Sequence, residues 1–366
     1  MRVLIAAGGT AGHVVPALAV AAALVERGAD VSFVGTRDRA EAELVPAAGY
    51  AIDFLDVSGL DRRNPLRAAV AIGRAAAAVR VARRILRERA IDAVMGGGGY
   101  VAAPAGLAAV TLRLPLVLTE ADSHLGLANR LLAPRARRVC LAFPIPGRHG
   151  RRYLVTGRPV AATIATADRA AARERFGIAP DAPCLLIFGG SLGALRINRA
   201  AADAFGPDGP AADRPYHVLH IAGTRDFPEA AARLEGAARY TLLDYLPDLG
   251  DALAASDLVL SRSGGSVFEL TAAGRPAVLV PYPYASARHQ HANAEWMREA
   301  GAATVIEDED LDATRLLAEV EPLIADRARL AAMAAASRRI ARPDAAERVA
   351  TEIAAAVEAR SGEGRA

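Results

Sequence analysis

Short apolar runs alternate along this 366-residue chain with longer stretches in which apolar residues recur every three or four positions. "RVLIAA" (2–7), "ADVSFVGT" (29–36), "DAVMGGGG" (92–99), "LPLVLTEA" (114–121) and "RRVCLAF" (137–143) are too short for helices and apolar on both faces. They read as strands buried on both sides of a sheet. "VPALAVAAALVERG" (15–28) reads as a helix closed by Gly28. The alternation restarts at "CLLIFGG" (184–190), continues through the helical "GALRINRAAADAF", then "YHVLHIAG", "DLVLSRSGG" and "PAVLVPYP". Strand and helix in turn predict parallel sheets covered on both faces, hence an α/β chain of two Rossmann-like halves. The seam falls near 155–168, giving domains at 1–160 and 161–343. A last alanine-rich helix from about 344 could pack back on the first half. Two such halves facing each other place a cleft between them.

Charge adds an asymmetry to this picture. Residues 1–160 carry 22 Arg against 12 acidic residues, whereas 161–366 carry 22 Arg against 29. A basic half beside an acidic one suggests an anionic surface or substrate for the first. The segment 62–89, "RRNPLRAAVAIGRAAAAVRVARRILRER", concentrates nine Arg and one acid among apolar residues at helical spacing. It reads as a basic amphipathic helix suited to anionic lipid headgroups, or as an ordinary solvated helix face. Nucleic acid is set aside, because no interleaved aromatics or known module accompany the charge. No apolar run is long and charge-free enough to span a bilayer, and the glycine-broken start does not suit a signal peptide. Cys140 and Cys184 are far apart and flanked by apolar residues, which fits a reduced compartment with no disulfide or zinc site.

Three loops share one design, an apolar strand, glycines and then a helix: "GGTAGH" (8–13), "GGGGY" (96–100) and "GGSLGA" (189–194). Glycine lets an anion approach the backbone N–H groups at a helix start, where the dipole also favours negative charge. The alternative is a simple tight turn. The chain has no Lys, so none of the loops is a phosphate-binding P-loop. "GGTAGH" also lacks the dinucleotide spacing, which discounts a dehydrogenase. In "SRSGGSVFELTAAGRPAVLVPYP" (261–283), Glu269 stands in the first turns of a helix. It can accept two hydrogen bonds from a ribose diol, or serve only as a favourable charge at a helix N-terminus.

"GGTAGHVVPALAVA", "GGGGYVAAPAGLAA", "GLANRLLAPRARRV", "VTGRPV", "GGSLGALRIN" and "SGGSVFELTAAGRPAVLVPYP…HQHANA" occur in the order seen in the MurG family. The chain resembles these bacterial peptidoglycan enzymes from residue 2 to about 357. They transfer N-acetylglucosamine from UDP to undecaprenyl-pyrophosphoryl-muramoyl-pentapeptide. The resemblance implies a GT-B arrangement of two Rossmann-like domains, the acceptor mainly on the first and the uridine nucleotide mainly on the second. Ser191 and its glycine loop would meet the donor diphosphate. Gly265, Ser266, Val267 and Phe268 would line the uridine-phosphate pocket, with Glu269 on the ribose and Leu246 at uracil. Gln290 would read the sugar hydroxyls, supported by Asn293. Thr10, Ala11 and Gly12 would lie at the sugar and acceptor phosphate. Gly98, Gly99, Tyr100 and Asn129 would lie on the acceptor side.

Departures from the family pattern are Ala11 for a usual Gly, Leu192 for a common Gln, and "TEAD" (119–122) for His-Glu-Gln-Asn. Asp122 therefore stands where a sugar-contacting Asn is usual, and can accept but not donate when ionised. Ala161 replaces a usual Arg, while Arg158 replaces an Asn and could reach the same phosphate.

The reaction so implied inverts the anomeric centre and needs a base near neutral pKa. His13, at a helix mouth behind the first loop, fits that role; the alternative is a histidine that closes the turn. His124 is an outside candidate. His289 and His291 flank Gln290 at i,i+2, so at most one faces the sugar. The implied partners are UDP-N-acetylglucosamine, the undecaprenyl-linked muramoyl-pentapeptide, inner-leaflet anionic lipid and other cell-wall proteins. No further cofactor and no metal is expected. The implied place is peripheral, on the cytoplasmic face of the plasma membrane. A related GT-B glycosyltransferase with another acceptor or sugar, or a non-catalytic sugar-nucleotide-binding subunit, are the alternatives.

Overall fold

The computed structural model describes residues 1–57, 65–190, 193–285 and 288–363, so Ser191, Leu192, Arg62 and Arg63 lie outside the described residues. The chain forms two compact units, Met1–Val160 with Arg342–Ala366, and Ala161–Ala341.

The first unit runs β1 (Arg2–Ala6), α1 (Ala11–Glu26), β2 (Asp30–Gly35), α2 (Glu41–Ala47), β3 (Ala51–Phe54), α3 (Pro65–Glu88), β4 (Ala93–Gly96), α4 (Ala102–Thr111), β5 (Leu116–Glu120), α5 (Leu127–Leu132), β6 (Arg138–Leu141) and β7 (Tyr153–Val155). Its seven strands are parallel in the order β3-β2-β1-β4-β5-β6-β7. Val3, Leu4, Ile5 and Ala6 of β1 are wholly buried, because a central parallel strand is covered on both faces. The order turns back between β1 and β4, and the loops after these two strands are the glycine-bearing loops 7–10 and 97–101. Doubly wound sheets open a crevice at this place, outside the carboxyl ends of the strands.

The second unit runs α6 (Thr163–Thr166), α7 (Arg169–Arg175), β8 (Cys184–Phe188), α8 (Leu195–Phe205), β9 (His217–Ile221), α9 (Phe227–Leu234), β10 (Tyr240–Leu243), α10 (Gly250–Ala255), β11 (Leu258–Ser261), α11 (Ser266–Ala272), β12 (Ala277–Leu279), α12 (His289–Glu299), β13 (Ala303–Val305), α13 (Ala313–Ala325) and α14 (Arg327–Ile340). Its six parallel strands lie in the order β10-β9-β8-β11-β12-β13. The switch falls between β8 and β11, which places the loops after 188 and after 261 side by side.

The tail helix, α15 (Ala345–Glu363), belongs to the first unit and packs on α1 and β5. Val349, Ala350 and Ile353 are wholly buried there, each large side chain contributing about 1.5–3 kcal/mol. Arg27 fixes its register by donating Nε and Nη2 to the Glu347 carboxylate at 3.0 and 2.7 Å.

Two elements depart from the expected pattern. Helix α1 begins at Ala11 rather than after the loop, with Thr10 as its extended N-cap, so His13 lies within the first turn. Helix α3 does carry an apolar stripe, but Ala78, Ala82, Ile85 and Leu86 of that stripe are buried in the core of the unit. Its outward face is arginine, with Arg74, Arg80, Arg84 and Arg87 exposed.

Candidate active site

In the first unit the site is built around a buried carboxylate. Glu41, wholly buried at the start of α2, accepts from the Gly9 N–H, the Thr36 N–H and the Thr36 hydroxyl at 2.8, 2.8 and 2.7 Å. Its side chain fills the space beside Gly8 and Gly35, where a Cβ would come within 2.4 Å of it. This carboxylate sets the path of the first glycine loop. Nothing in "AEAELVPAAG" distinguishes it from an ordinary helix-surface acid, and sequence reasoning missed it.

The second loop closes on the first. Gly99 has φ +78°, and a Cβ on it would stand 2.1 Å from the Gly8 carbonyl oxygen. Only glycine suits that conformation and that approach. At Gly98 a Cβ would stand 2.4 Å from His13 Cδ2, so the missing side chain is what seats the imidazole. Ala11, by contrast, needs no glycine: it is the first residue of α1 and keeps an ordinary negative φ.

His13 is half-buried, with its Nδ1 3.3 Å from the Thr10 hydroxyl oxygen. Burial, and then the Arg158 guanidinium, hold its pKa below the usual 6.5, against weaker opposing effects of Asp122 and Glu41. The imidazole is therefore neutral near pH 7 and able to accept a proton. Arg158 reaches this place for a local reason. Pro16 has no N–H, so the Gly12 carbonyl lacks its helical partner four residues on. Arg158 Nη2 donates to that carbonyl at 2.6 Å. Behind the imidazole, Pro16, Gly97, Thr119, Cys140 and Val349 line a small recess. Burial pushes the Cys140 thiol up to about 12, which leaves it inert.

The "TEAD" segment closes β5. Glu120 is buried and raised above the ordinary carboxylate range by burial, although it accepts from Gly126 N–H and Asn129 Nδ2 at 2.8 and 2.9 Å. Asn129, itself buried, also donates to the Thr119 carbonyl at 2.9 Å. It thus ties α5 to the end of β5. Asp122 is half-buried, its N–H donating to Glu120 at 3.2 Å. Tyr100 is 57% exposed and His124 is exposed.

In the second unit, a turn at 262–265 joins β11 to α11 and leads to Glu269, which is half-buried in the first turn of that helix. Gly265 and Ser266 begin the turn's exit, and Val267 and Phe268 are buried behind it. The start of α12 is pinned to the same turn. Ser263 Oγ donates to the Gln290 carbonyl at 2.8 Å, and Asn293 Nδ2 donates to the carbonyls of Ser263 and Gly264 at 2.9 and 3.3 Å. Gln290 is thereby brought beside Gly264, its Oε1 accepting from Tyr282 N–H at 2.9 Å. His291 turns instead to Glu307, at 3.2 Å. On the neighbouring loop Gly193 has φ +91°, and a Cβ there would meet the Ala222 carbonyl oxygen at 2.2 Å. Leu246 is half-buried. His220 is wholly buried between Tyr240 and Asn198, and burial drives its pKa to about 3, so it is a neutral packing residue.

Among the described residues no group of three or more His, Cys, Asp or Glu side chains is placed to hold a metal ion, and no helix is long and apolar enough to cross a membrane.

Two family models match successive stretches of the chain. Residues 3–141 match the glycosyltransferase family 28 N-terminal domain and residues 184–349 its C-terminal domain. The UDP-N-acetylglucosamine–N-acetylmuramyl-(pentapeptide) pyrophosphoryl-undecaprenol N-acetylglucosamine transferase of Methylococcus capsulatus is 42% identical over 95% of this chain and 97% of its own length. That of Halorhodospira halophila is 42% identical over 95% and 96%. The crystal structure of Acinetobacter baumannii MurG matches with a TM-score of 0.74 at 30% identity, over 96% of this chain and 99% of that one.

Proposed function

Because the chain belongs to the family of UDP-N-acetylglucosamine–N-acetylmuramyl-(pentapeptide) pyrophosphoryl-undecaprenol N-acetylglucosamine transferases, we propose how its own residues carry out that transfer. The enzyme has the α/β fold of the GT-B class and moves N-acetylglucosamine from UDP to the muramoyl 4-hydroxyl of the lipid-linked acceptor. In our reading the second unit holds UDP: Glu269 takes the ribose diol, Leu246 the uracil, and Gly265–Phe268 the phosphate side. Ser191, by resemblance, meets the diphosphate. Gln290, with its backbone and neighbours held by Ser263 and Asn293, reads the sugar. In the first unit Thr10–Gly12, Asp122 and Arg158 meet sugar and phosphate, while Gly98, Gly99 and Tyr100 form the acceptor side. Asn129 supports that side through Glu120 rather than from the surface.

Chemically this is one displacement with inversion. His13 takes the proton of the 4-hydroxyl as its oxygen bonds the anomeric carbon, and the sugar–phosphate bond breaks to release UDP. Charge gathers on the leaving diphosphate, so fixed backbone dipoles at the two loop–helix junctions lower the barrier. The observation that carries this reading is His13 seated on Gly98 behind the first glycine loop, where burial and the Arg158 guanidinium favour its neutral form. Purified protein supplied with labelled UDP-N-acetylglucosamine and a lipid-linked muramoyl-pentapeptide in detergent should yield the labelled lipid disaccharide. Donor binding with no product would instead favour a non-catalytic sugar-nucleotide subunit.

We place the enzyme at the cytoplasmic face of the membrane, on anionic lipid. Supporting this, the buried apolar stripe of α3 leaves contact to its arginine face, and Leu127 and Leu131 stand 45% and 62% exposed one turn apart on α5. Replacing Arg80, Arg84 and Arg87 together by Gln should weaken binding to anionic vesicles about a hundredfold at low salt, at roughly 1 kcal/mol for each arginine. The effect should shrink as salt rises. Co-sedimentation unchanged by the triple substitution would refute this face.

A further inference from the structure

At the opposite edge of the second unit's sheet lies a cavity of about 340 Å³. It is bounded by residues that precede the strands: 180–183 before β8, Asp257 before β11, and 274–276 before β12. Strands of three to five residues rise about 3.3 Å per residue, so it lies roughly 10–15 Å from the loops that follow those strands. Five arginines line it, Arg169, Arg173, Arg275, Arg327 and Arg338, against two aspartates, Asp181 and Asp257.

Part of this cluster is structural. Arg169 and Arg173 share the Asp257 carboxylate at 2.5 and 2.9 Å, and with Arg275 they donate to the carbonyls of 254–256 that end α10. That capping needs three guanidiniums. It accounts neither for the excess of positive charge nor for Arg327 and Arg338, which have no carboxylate within ion-pair distance among the described residues. The stem of Arg338 lies over Gly274, where a Cβ would come 2.6 Å from its Cγ. Burial, then the Arg169 charge, hold Arg275 down to about 10, with Asp257 opposing and Arg338 and Arg173 adding to the shift. Its Nε is buried with no hydrogen-bond partner among the described residues. Ile324, Leu330 and Pro276 give the cavity an apolar wall, and its size is that of small-molecule sites.

We propose that this cavity is a second anion site, distinct from the donor loops, which takes a small phosphorylated molecule, a pyrophosphate or a phosphate ester. A guanidinium cluster short of counter-charge recognises phosphoryl oxygens bidentately, and a bound anion relieves the repulsion among the arginines.

Isothermal titration of the full chain with inorganic pyrophosphate tests this. Arg327→Gln and Arg338→Gln, made singly and together at exposed positions outside the capping network, should each weaken one binding event severalfold. The pair should bind one equivalent fewer than wild type. Pyrophosphate bound at the donor loops is untouched by these changes, so it remains in both proteins. Transfer measured without pyrophosphate should stay at the wild-type level. Equal stoichiometry and affinity in wild type and the double variant would overturn the proposal, as would heats reproduced by chloride at matched ionic strength. Since the wild-type titration must itself show the event, poor folding of a variant does not protect the idea.

Discussion

His13→Ala should lower kcat by at least about a hundredfold, the usual worth of a positioned general base, while UDP affinity stays within a few-fold. The nucleotide contacts proposed here lie in the second unit, so the imidazole's loss falls on the chemical step. The pH profile supplies an independent readout. His13 is held below 6.5 in the fold, so the acidic limb of kcat/KM should turn below that value. Removing the nearby positive charge with Arg158→Gln should move the limb upward; removing the negative charge with Asp122→Asn should move it downward. The stability contribution has a definite sign. A pKa lower in the folded state means fewer protons bound than in the unfolded chain, so the contribution is complete above pH 6.5 and is lost as pH falls through the folded value. Near-normal turnover by His13→Ala, or an acidic limb indifferent to Arg158→Gln, would remove histidine from the chemistry.

The second large effect should come from a residue that touches no proposed substrate itself but lies buried under the first glycine loop. Glu41→Ala leaves three donors, the N–H groups of Gly9 and Thr36 and the Thr36 hydroxyl, without their buried acceptor. Bonds to a charged group are worth about 1.5–3 kcal/mol each, and part of that loss is recovered by relaxation and water. A cost of about 3–5 kcal/mol to the first unit follows, comparable with breaking other buried charged networks. For a unit of this size that lowers its melting temperature by roughly 10 °C. Glu41→Gln keeps the volume and one acceptor, so it should lose less. Calorimetry on the full chain resolves the question, and a first-unit transition within about 2 °C of wild type in Glu41→Ala would show that the carboxylate does not hold the loop. Activity should fall with stability, because the first glycine loop and His13 move together.

Much of the architecture was legible in the chain because its causes are local. Runs such as "RVLIAA" and "CLLIFGG" are too short and too apolar for anything but strands buried on both faces, and the observed β1 and β8 fall inside them. Gly28 sits one residue past the α1 C-cap at φ +78°, where a left-handed residue ends a helix. The tail from about 344 carries helical periodicity, and α15 begins at Ala345. Periodicity was ambiguous where it says that a face is apolar but not what covers it. The stripe of α3 serves the core, and only its packing against the rest of the unit reveals that.

By itself the sequence determined two doubly wound sheets, the loops at their switch points and the family of the chain, since each depends on neighbours within a few residues. Only the tertiary structure decided which acid lies buried under the first loop, 32 residues from Gly9, and which arginine caps Gly12 from 146 residues away. It also decided that Asn129 serves Glu120, and that five arginines surround one cavity. Such pairings are settled by the burial and desolvation of groups distant along the chain. One-dimensional spacing carries no record of those energies.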